Sequence, residues 1–431
     1  MSNIKRRPLA DCLIKIIDYR GKTPKKLGSD WSESGFRAIS ANNVKFDGLT
    51  NLGSIKYVDA KTYKKWMKEE VKTGDLLLTS EAPAGQVMLW MSDEKIVLSQ
   101  RLFGLRTKEN VDNKFLKYYL QSSVGQKEIL KNTSGSTVFG ISAKMFDLIQ
   151  VFLPDYDSQV LIGNVLHNID AKIELNNRIN AELGSLAKAL YDYWFVQFDF
   201  PDPTGNPYKT SGGKIVYNED LKREIPDDWK VYKLEDILRC NYKSITKSSE
   251  YESVNYLDTS NLTDNVIDTI QNINLEYEEL PSRAQRIVEK TDILYSTVRP
   301  NQRHFGIIKH PLENLIASTG FAQLTSKIEA IKNELIYLYL TSESTINRLQ
   351  KIADSSVSSY PSISPNDLLA LKIALPKDEK ILIKISSMLV PVFDKQSIIQ
   401  KQNKQLAELR DWLLPMLMNG QVKVKDASSE E

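Results

Sequence analysis

The sequence has few residues of the kinds that build metal centres and disulfide frameworks. Among 431 residues there are two cysteines, Cys12 and Cys240, which lie in different halves of the chain, and three histidines. We therefore expect no disulfide and no metal site. No run approaches the roughly 18 to 20 apolar residues of a membrane span, and no apolar signal region follows the basic N-terminus. These absences predict a cytoplasmic protein without a membrane partner.

Motifs of nucleotide-driven motors and of DNA methyltransferases are missing as well. A motor needs GxxxxGK[ST], whereas Gly213-Lys214 is followed by Ile215. The Gly-rich cofactor turn and the Asn-Pro-Pro-aromatic motif that an aminomethyltransferase uses to hold a flipped base are also absent from the sequence. Asp155 and Asp157 could be taken for a nuclease pair, but they begin a predicted helix, where aspartate stabilises the N-terminus. We predict no catalytic residue and no cofactor in this chain, and therefore no enzyme.

The composition that remains is that of a multi-domain globular protein with an uneven charge. Hydrophobic residues make up 41% and charged residues 26% of the chain. Residues 1–154 carry a net charge of +9, whereas residues 205–376 carry −3. A basic first domain favours a polyanionic partner such as DNA, because lysine and arginine neutralise phosphates. Charge for solubility is the alternative explanation.

A long helix predicted between Asp155 and Phe198 organises the chain. Its apolar residues, beginning with Ile162 and Leu166, recur in alternating steps of four and three, which is typical of a helix packed along another helix. A shift of 223 residues places Ile162 on Ile385 and Asn180 on Asn403. The sequence therefore predicts a second long helix with the same seam and an internal repeat.

The segments before the two helices repeat each other too. Val71–Pro83 matches Val288–Pro300, with Asp75 on Asp292. Each of the two domains closes on Leu-Pro, at Leu153-Pro154 and Leu375-Pro376, directly before its long helix. Short alternating strands are followed by a helix, predicted from Asn113 to Leu130 in the first copy. The predicted fold class is α+β, with two similar mixed α/β domains joined by an antiparallel two-helix coiled coil as a pseudo-twofold internal repeat. The predicted boundaries are 1–154 (first recognition domain), 155–200 (long helix), 201–229 (linker), 230–376 (second recognition domain), 377–420 (C-terminal long helix) and 421–431 (flexible tail).

This arrangement suggests a reader of split DNA sites. A helix of about 40 residues is roughly 60 Å long, so two such helices could hold the domains apart, and DNA repeats about every 34 Å. An internal duplication gives one chain two similar domains, as in a dimer, and this is the arrangement expected of a protein that reads a bipartite DNA site.

Several segments carry a family resemblance. The segments IGNVLHNIDAKIELNNRINAEL, ALYDYWFVQFDFP and LRDWLLPMLMNGQ, with the Leu-Pro junctions, resemble the specificity subunit of a type I restriction-modification system. The resemblance covers nearly the whole chain. It implies that each α/β unit is a target recognition domain for one half of a DNA site. It also implies that the helices set the spacer and bind two methyltransferase subunits that use S-adenosylmethionine, and that motor-nuclease subunits join the complex.

Loops after the repeated strands provide the candidate DNA contacts, because polar and cationic side chains read base edges or hold phosphates. In the first domain we predict phosphate contacts from Lys22, Lys25 and Lys26, and base contacts from Asn42, Ser80, Glu81, Gln86, Arg101, Ser136 and Thr137. In the second domain the candidates are Thr259, Asn261, Thr297, Arg299, Asn301, Gln302, Arg303, His304, Ser358, Ser359 and Tyr360. Turn capping uses the same residue types, so each single choice has a structural alternative.

The helices carry two further predictions. Polar residues interrupt the seam at Asn176, Asn180, Gln396 and Asn403, and we expect them to fix register, with buried water as the alternative. Aromatic and apolar residues on the outward faces are predicted to bind partner subunits or to pack on the recognition domains, namely Tyr191, Tyr193, Trp194, Phe195, Trp412 and Met416.

A different function class also fits part of the pattern. A tandem-domain coiled-coil scaffold without DNA readout explains the helices and the duplication, but not the basic first domain or the donor-rich loops. Footprinting of the partner-bound complex distinguishes the two, because a split-site reader protects two patches with a gap between them.

Overall fold

The computed structural model describes residues 5–134, 139–245, 251–356 and 360–424, and the chain divides into two units. Unit 1 comprises Met1–Leu175 with Asn403–Glu431, and unit 2 comprises Asn176–Gln402. The sequence analysis treated each long helix as a separate element, whereas the structure divides each helix between the two units.

Unit 1 is built from short strands and three short helices before the first long helix. Its strands are β1 (Lys5–Pro8), β2 (Leu13–Asp18), β3 (Phe36–Ile39), β4 (Val44–Lys45), β5 (Gly48–Leu49), β6 (Lys56–Val58), β7 (Leu76–Thr79), β8 (Val87–Leu89), β9 (Val97–Leu98), β10 (Leu102–Thr107) and β11 (Gln150–Leu153). Its helices are α1 (Ala60–Trp66), α2 (Asn113–Gln121), α3 (Ser123–Lys131) and the first part of α4 (Tyr156–Tyr191).

Unit 2 follows the same plan. Its strands are β12 (Ile215–Asn218), β13 (Arg223–Pro226), β14 (Trp229–Lys233), β15 (Leu238–Cys240), β16 (Ser253–Leu257), β17 (Leu262–Thr263), β18 (Val266–Ile267), β19 (Gln271–Asn274), β20 (Ala284–Ile287), β21 (Ile293–Ser296), β22 (Phe305–Ile307), β23 (Leu315–Ser318), β24 (Phe321–Ser326) and β25 (Lys372–Pro376). Its helices are α5 (Leu234–Ile237), α6 (Asn333–Leu340), α7 (Glu343–Asp354), α8 (Pro365–Leu369) and most of α9 (Glu379–Met418).

Strand order repeats between the units. Among the described residues of unit 1, one sheet has the order β2-β10-β7-β8 and a second has β6-β3-β9, while unit 2 has β15-β24-β21-β22 and β19-β16-β23-β20. In both second sheets the same pair is parallel, β3 with β9 and β16 with β23. The last strand of each unit pairs with an early one: β11 pairs with β1 in unit 1, and β25 pairs with β14, the strand after the β12–β13 hairpin, in unit 2. The predicted duplication of the mixed α/β unit is therefore confirmed at the level of topology.

The cores lie where the apolar runs predict them. In β7, all four residues are buried, because one face of this central strand meets helix α2 and the other meets the second sheet. The matched strand β21 is also buried throughout. Each unit thus places a buried strand directly before an exposed loop, and this geometry positions the candidate site.

The helix predicted from Asn113 to Leu130 is interrupted. Helix α2 ends at Gln121, and the Ser122 side chain accepts a hydrogen bond from the Gly125 backbone N–H to begin α3. Gly125 packs so closely on the preceding turn that a β-carbon would collide with the carbonyl oxygen of Tyr119. The apolar periodicity missed this break, because it registers only the spacing of hydrophobic residues and not a capping serine or a close glycine contact.

Part of the predicted linker 201–229 is folded. Strands β12 and β13 form an antiparallel hairpin, and Ile225 and Trp229 belong to the core of unit 2. Gly205 and Gly212 have positive φ angles that suit turns, whereas Pro226 is part of strand β13. Ile225 is buried, while Tyr217 on the paired strand is 59% exposed. The start of the predicted flexible tail is also packed, since Val422 and Val424 contact the core of unit 1; residues 425–431 lie outside the described ranges.

The long helices begin and end close to the predicted positions. A five-residue π-helical segment, Asp192–Val196, directly follows α4. In unit 1, Asp170 of α4 pairs with Arg410 of α9, and Ile162, two turns earlier, shares a core with Leu417. These two segments therefore run in opposite directions. In unit 2, the Gln396 side chain donates to the Asn180 carbonyl oxygen at 3.1 Å.

Candidate nucleic-acid interface

The loops that follow β7 and β21 form the same backbone hydrogen bond at matched positions. The backbone N–H of Ile141 donates to the Ser80 carbonyl at 2.8 Å, and that of Ile363 donates to the Thr297 carbonyl at 2.8 Å. One residue further along, Glu81 forms a β-bridge with Gly140, and Val298 forms one with Ser362. The backbone is therefore duplicated at the loops where the sequence analysis placed base contacts, while the side chains differ.

In unit 1, Arg101 and Glu81 form an ion pair on this loop. The Arg101 Nε lies 2.9 Å from Glu81 Oε1, and both side chains remain partly exposed. Arg101 adopts φ +61°, a backbone conformation that is uncommon for residues other than glycine. The two predicted contacts are thus brought together as a donor–acceptor pair facing solvent.

Ser80, which was predicted to contact a base, is buried in the structure. It is 2% exposed, and its backbone N–H donates to the Arg101 carbonyl at 2.8 Å. The residue ends the buried strand β7 and secures the loop, so its hydroxyl cannot contact a base without a rearrangement. Gln86, on the return strand, is half-buried, and Asn42 is exposed.

The three predicted phosphate-binding lysines have different surroundings. Lys22 is half-buried, and its Nζ donates to the Trp66 carbonyl at 3.2 Å and lies 4.5 Å from the Tyr19 ring centre. Lys25 and Lys26 are exposed, and Lys26 Nζ donates to the Gly21 carbonyl at 2.7 Å. Lys25 and Lys26 therefore present charge at the surface, whereas Lys22 stabilises its loop.

In unit 2, Arg299 and Tyr360 come together. The Arg299 guanidinium carbon lies 5.5 Å from the Tyr360 ring centre, and Tyr360 is 61% exposed. Asn301 and Gln302 are also exposed in the short turn that follows. This part of the run RPNQRH is the exposed polar surface that the sequence predicted.

Arg303 and His304, in the same run, are turned towards protein groups. Arg303 forms ion pairs with Asp264 and Glu343, and the hydrogen bond that its guanidinium donates to the Glu343 carboxylate raises the pKa of Arg303 further. The His304 Nδ1 lies 2.9 Å from the Leu262 carbonyl oxygen and 3.0 Å from the Thr263 hydroxyl. We therefore assign both residues to loop structure in this conformation, because local partners engage the Arg303 guanidinium and the His304 Nδ1 atom.

Thr259, Asn261 and Thr297 are half-buried and close to the loop. The Thr297 hydroxyl donates to the Gly320 carbonyl at 3.0 Å. Asp258 caps the turn that contains Thr259 and Asn261. Burial would raise the pKa of Asp258, but the Ser260 backbone N–H and the Tyr256 hydroxyl outweigh it and lower that pKa below its usual value. Ser136, Thr137, Ser358 and Ser359 lie outside the described residues.

Three of the six helix residues predicted either to bind partner subunits or to pack on the α/β domains do the second, which corrects their assignment to partner binding. Tyr191, Trp194 and Phe195 are 7%, 3% and 2% exposed and belong to the core of unit 2. Phe195 packs on Trp229 with ring centres 5.2 Å apart. The helical wheel could not show this, because the hairpin and β14 cover these rings. Trp412 is 56% and Tyr193 38% exposed, and Met416 is half-buried.

One exposed residue of the unit 1 loop was not among the candidates. Phe139 is 61% exposed directly before Gly140. A single large aromatic residue in the small-residue loop NTSGSTVFG was a signal that could have identified it, since aromatic side chains contact bases and sugars.

The described residues offer neither a cluster of metal ligands nor a membrane-spanning helix. Within ranges 5–134, 139–245, 251–356 and 360–424, no group of three or more histidine, cysteine, aspartate or glutamate side chains could hold a metal ion. No helix in those ranges combines the length and the hydropathy needed to cross a bilayer.

Comparisons with known proteins agree on one family. The model of the type I restriction modification DNA specificity domain matches residues 5–185 and again 226–408. The specificity subunit of the type I restriction enzyme MjaIX of Methanocaldococcus jannaschii is 27% identical over 82% of this chain and 78% of its own length. That of MjaVIII from the same organism is 24% identical over 96% and 93% of the two chains.

A solved structure shares the fold. The crystal structure of the S subunit of a type I restriction-modification system from M. genitalium superimposes with a TM-score of 0.61, 17% identity and 96% coverage of both chains.

Proposed function

Because this chain belongs to the family of type I restriction-modification DNA specificity domains, we propose that it is the DNA-reading subunit of such a complex. Each α/β unit reads one half of a bipartite site in double-stranded DNA. The chain itself is non-catalytic, and methyl transfer from S-adenosylmethionine is carried out by partner methyltransferase subunits. Motor-nuclease subunits complete the assembly.

One observation carries the assignment of DNA reading to the loops. The Ile141–Ser80 and Ile363–Thr297 hydrogen bonds hold equivalent loops in equivalent places, yet the exposed side chains on them differ. A scaffold has no need for a fixed backbone with variable polar side chains, whereas a reader of two different short sequences does. The loops are anchored on a buried strand, which limits their movement and favours specific contacts.

The long helices have a separate role in this proposal. We assign α4 and α9 to an antiparallel coiled coil that relates the units by a pseudo-twofold axis, sets the spacer and docks two methyltransferase subunits. Exposed apolar side chains support the docking role, in particular Leu186 on α4 and Leu409 and Trp412 on α9, which are 49%, 43% and 56% exposed. Such residues are typical of protein interfaces.

The test uses the chain assembled with its methyltransferase subunits. Footprinting on DNA that carries the modified site should give two protected patches separated by an unprotected gap, and mapping of modified adenines in host DNA should give a bipartite motif. Absence of protection by the assembled complex would support a scaffold instead. Methyl transfer by the isolated chain would show an enzyme.

A further inference from the structure

The backbone of Arg299 is fixed in an unusual conformation. Its φ is +47°, in the left-handed region, and the matched residue of unit 1, Ala82, has φ +59°. This conformation is unfavourable for residues other than glycine and persists where surrounding contacts require it. Here the Arg299 backbone N–H donates to the Pro361 carbonyl at 2.9 Å, and the next residue, Pro300, is buried. The loop therefore presents the side chain from a defined position.

The next turn is held as well. The backbone N–H of Asn301 donates to the Gln350 side chain of α7 at 3.1 Å. The backbone around Arg299 is thus held at two points, by the hydrogen bond to Pro361 and by the hydrogen bond from Asn301 to Gln350 of α7. A side chain presented from a fixed backbone loses less conformational entropy on binding.

The guanidinium of Arg299 is oriented but not neutralised. The guanidinium carbon lies 5.5 Å from the centre of the Tyr360 ring, and the face of the ring attracts the cation. On the same two loops Arg101 pairs with Glu81, and Arg303 pairs with Asp264 and Glu343. Within the described part of the chain, Arg299 has no carboxylate partner. It is the loop arginine whose five donors are available to a ligand.

We propose that Arg299 reads a guanine in the half-site bound by unit 2, an inference that depends on the function proposed above. Arginine donates two parallel hydrogen bonds to the O6 and N7 atoms of guanine in the major groove, and this is the commonest specific contact between a side chain and a base. Residues 205–376 carry a net charge of −3, which is unfavourable for a surface that binds DNA through phosphates alone. A rigid arginine beside the exposed Asn301 and Gln302 suits base reading.

The same position distinguishes the two half-sites. Unit 1 carries Ala82 where unit 2 carries Arg299, and both residues have a positive φ, although the Ala82–Pro83 peptide bond of unit 1 is cis. Unit 1 therefore lacks this contact and offers the Glu81–Arg101 pair one residue away. The guanine contact should be confined to one half of the recognised site.

The first experiment maps methylated sites for the assembled complex with wild-type, Arg299→Ala, Arg299→Lys and Arg239→Ala chains. Arg239 is also exposed in unit 2 but lies on strand β15, away from the loop. We expect Arg299→Ala to relax one G·C position of one half-site, with discrimination falling about 5- to 150-fold, while the other half-site and the spacer are unchanged. Arg299→Lys should relax the same position, because lysine lacks the planar fork. Arg239→Ala should retain the wild-type motif.

The second experiment needs no protein variant. Duplexes in which 7-deazaguanine replaces the guanines of the site one at a time lose the N7 acceptor and keep base pairing. Wild-type complex should bind one such duplex about 5- to 150-fold more weakly, and the Arg299→Ala complex should show no difference for that duplex.

Three results would overturn the inference. The first is a bipartite motif that Arg299→Ala leaves intact. The second is uniform weakening across all sequences with a smaller salt dependence, which would identify a phosphate contact. The third, which decides even if Arg299→Ala fails to assemble, is a wild-type complex that is insensitive to every 7-deazaguanine. A wild-type complex without any bipartite motif would instead refute the proposed function itself.

Discussion

Tyr337 and Phe393 meet edge to face in unit 2, with ring centres 5.6 Å apart and planes at 87°. The matched residues of unit 1 are Lys117 and Asp170, whose Nζ and Oδ2 atoms lie 2.8 Å apart. Both pairs join a short helix, α2 or α6, to a long helix, α4 or α9. One repeat therefore uses an aromatic contact where the other uses a charge network, which also includes Tyr118 and Arg410.

Asp170→Asn should destabilise the chain strongly. The substitution leaves Lys117, which is 7% exposed, and the half-buried Arg410 without their shared carboxylate. Breaking a buried ion pair from one side costs about 3–5 kcal/mol, and chemical denaturation of the full chain measures it. Asp47→Asn is the matched control, because Asp47 also pairs with Arg410 but its side chain is 81% exposed. We expect no measurable change for this control; equal effects of the two would contradict the network.

The contribution of Asp170 to the stability of the folded chain should disappear in acid. Burial acts to raise the pKa of Asp170, but Lys117, Tyr118 and Arg410 outweigh it, so the pKa in the folded chain is below its ordinary value. A carboxylate with a lowered folded pKa stabilises fully above the unfolded pKa of about 3.9 and loses this effect as the pH falls through the folded pKa. The melting temperatures of wild type and Asp170→Asn should therefore converge below about pH 4. A constant difference down to pH 3 would argue against this reading.

Matched carboxylates Asp75 and Asp292 should respond differently to replacement by asparagine. Asp75 accepts hydrogen bonds from Arg106 Nε at 2.9 Å and Nη2 at 2.8 Å, whereas Asp292 accepts them from neutral groups of Tyr242 and Gln323. Burial raises the pKa of Asp292 above its usual value. We expect Asp75→Asn to cost about 2–3 kcal/mol, because bonds to a charged partner are lost, and Asp292→Asn to cost less than about 1 kcal/mol. The denaturant midpoints of the two variants measure the difference. A larger loss for Asp292→Asn than for Asp75→Asn would contradict the stronger role of the Asp75–Arg106 pair.

Gly125→Ala should destabilise although alanine favours helices. A β-carbon at position 125 would collide with the Tyr119 carbonyl oxygen, so backbone must move. At Gly184, in the exposed stretch of α4, the nearest atom is the flexible Gln396 Nε2 at 3.4 Å. Gly184→Ala should therefore be neutral or stabilising by up to about 1 kcal/mol. Thermal unfolding of the two variants should give shifts of opposite sign or clearly different size, and similar small shifts would contradict the close packing at Gly125.

The polar seam residues Asn180 and Asn403 are predicted to fix the helix register. Leucine at both positions would remove the polar preference at little cost in packing. We expect the spacer between the two half-sites, measured by mapping modified adenines, to slip or become heterogeneous. A single unchanged spacer would show that other contacts, such as the Gln396 bond to the Asn180 carbonyl, determine register.

The sequence was sufficient for the repeat, the mixed α/β class and the long helices. These depend on patterns within short windows: period-two strands, the heptad seam, and Leu-Pro before each long helix. It also located the matched loops that follow β7 and β21, because Asp75 with Asp292 and their neighbouring residues match along the chain. Such local signals survive in any arrangement of the units, which is why a linear comparison could find them.

The tertiary structure decided which candidate side chains are available. Ser80 is buried directly after strand β7, and Arg303 is neutralised by Asp264 and Glu343 from distant segments. Tyr191, Trp194 and Phe195 are buried in the core of unit 2, where Phe195 packs on Trp229. No window of the sequence contains these partners, since burial and ion pairing depend on residues brought together from far along the chain. The sequence thus determined where the loops are, and only the packing determined that Arg299, held over Tyr360, presents its charge to solvent.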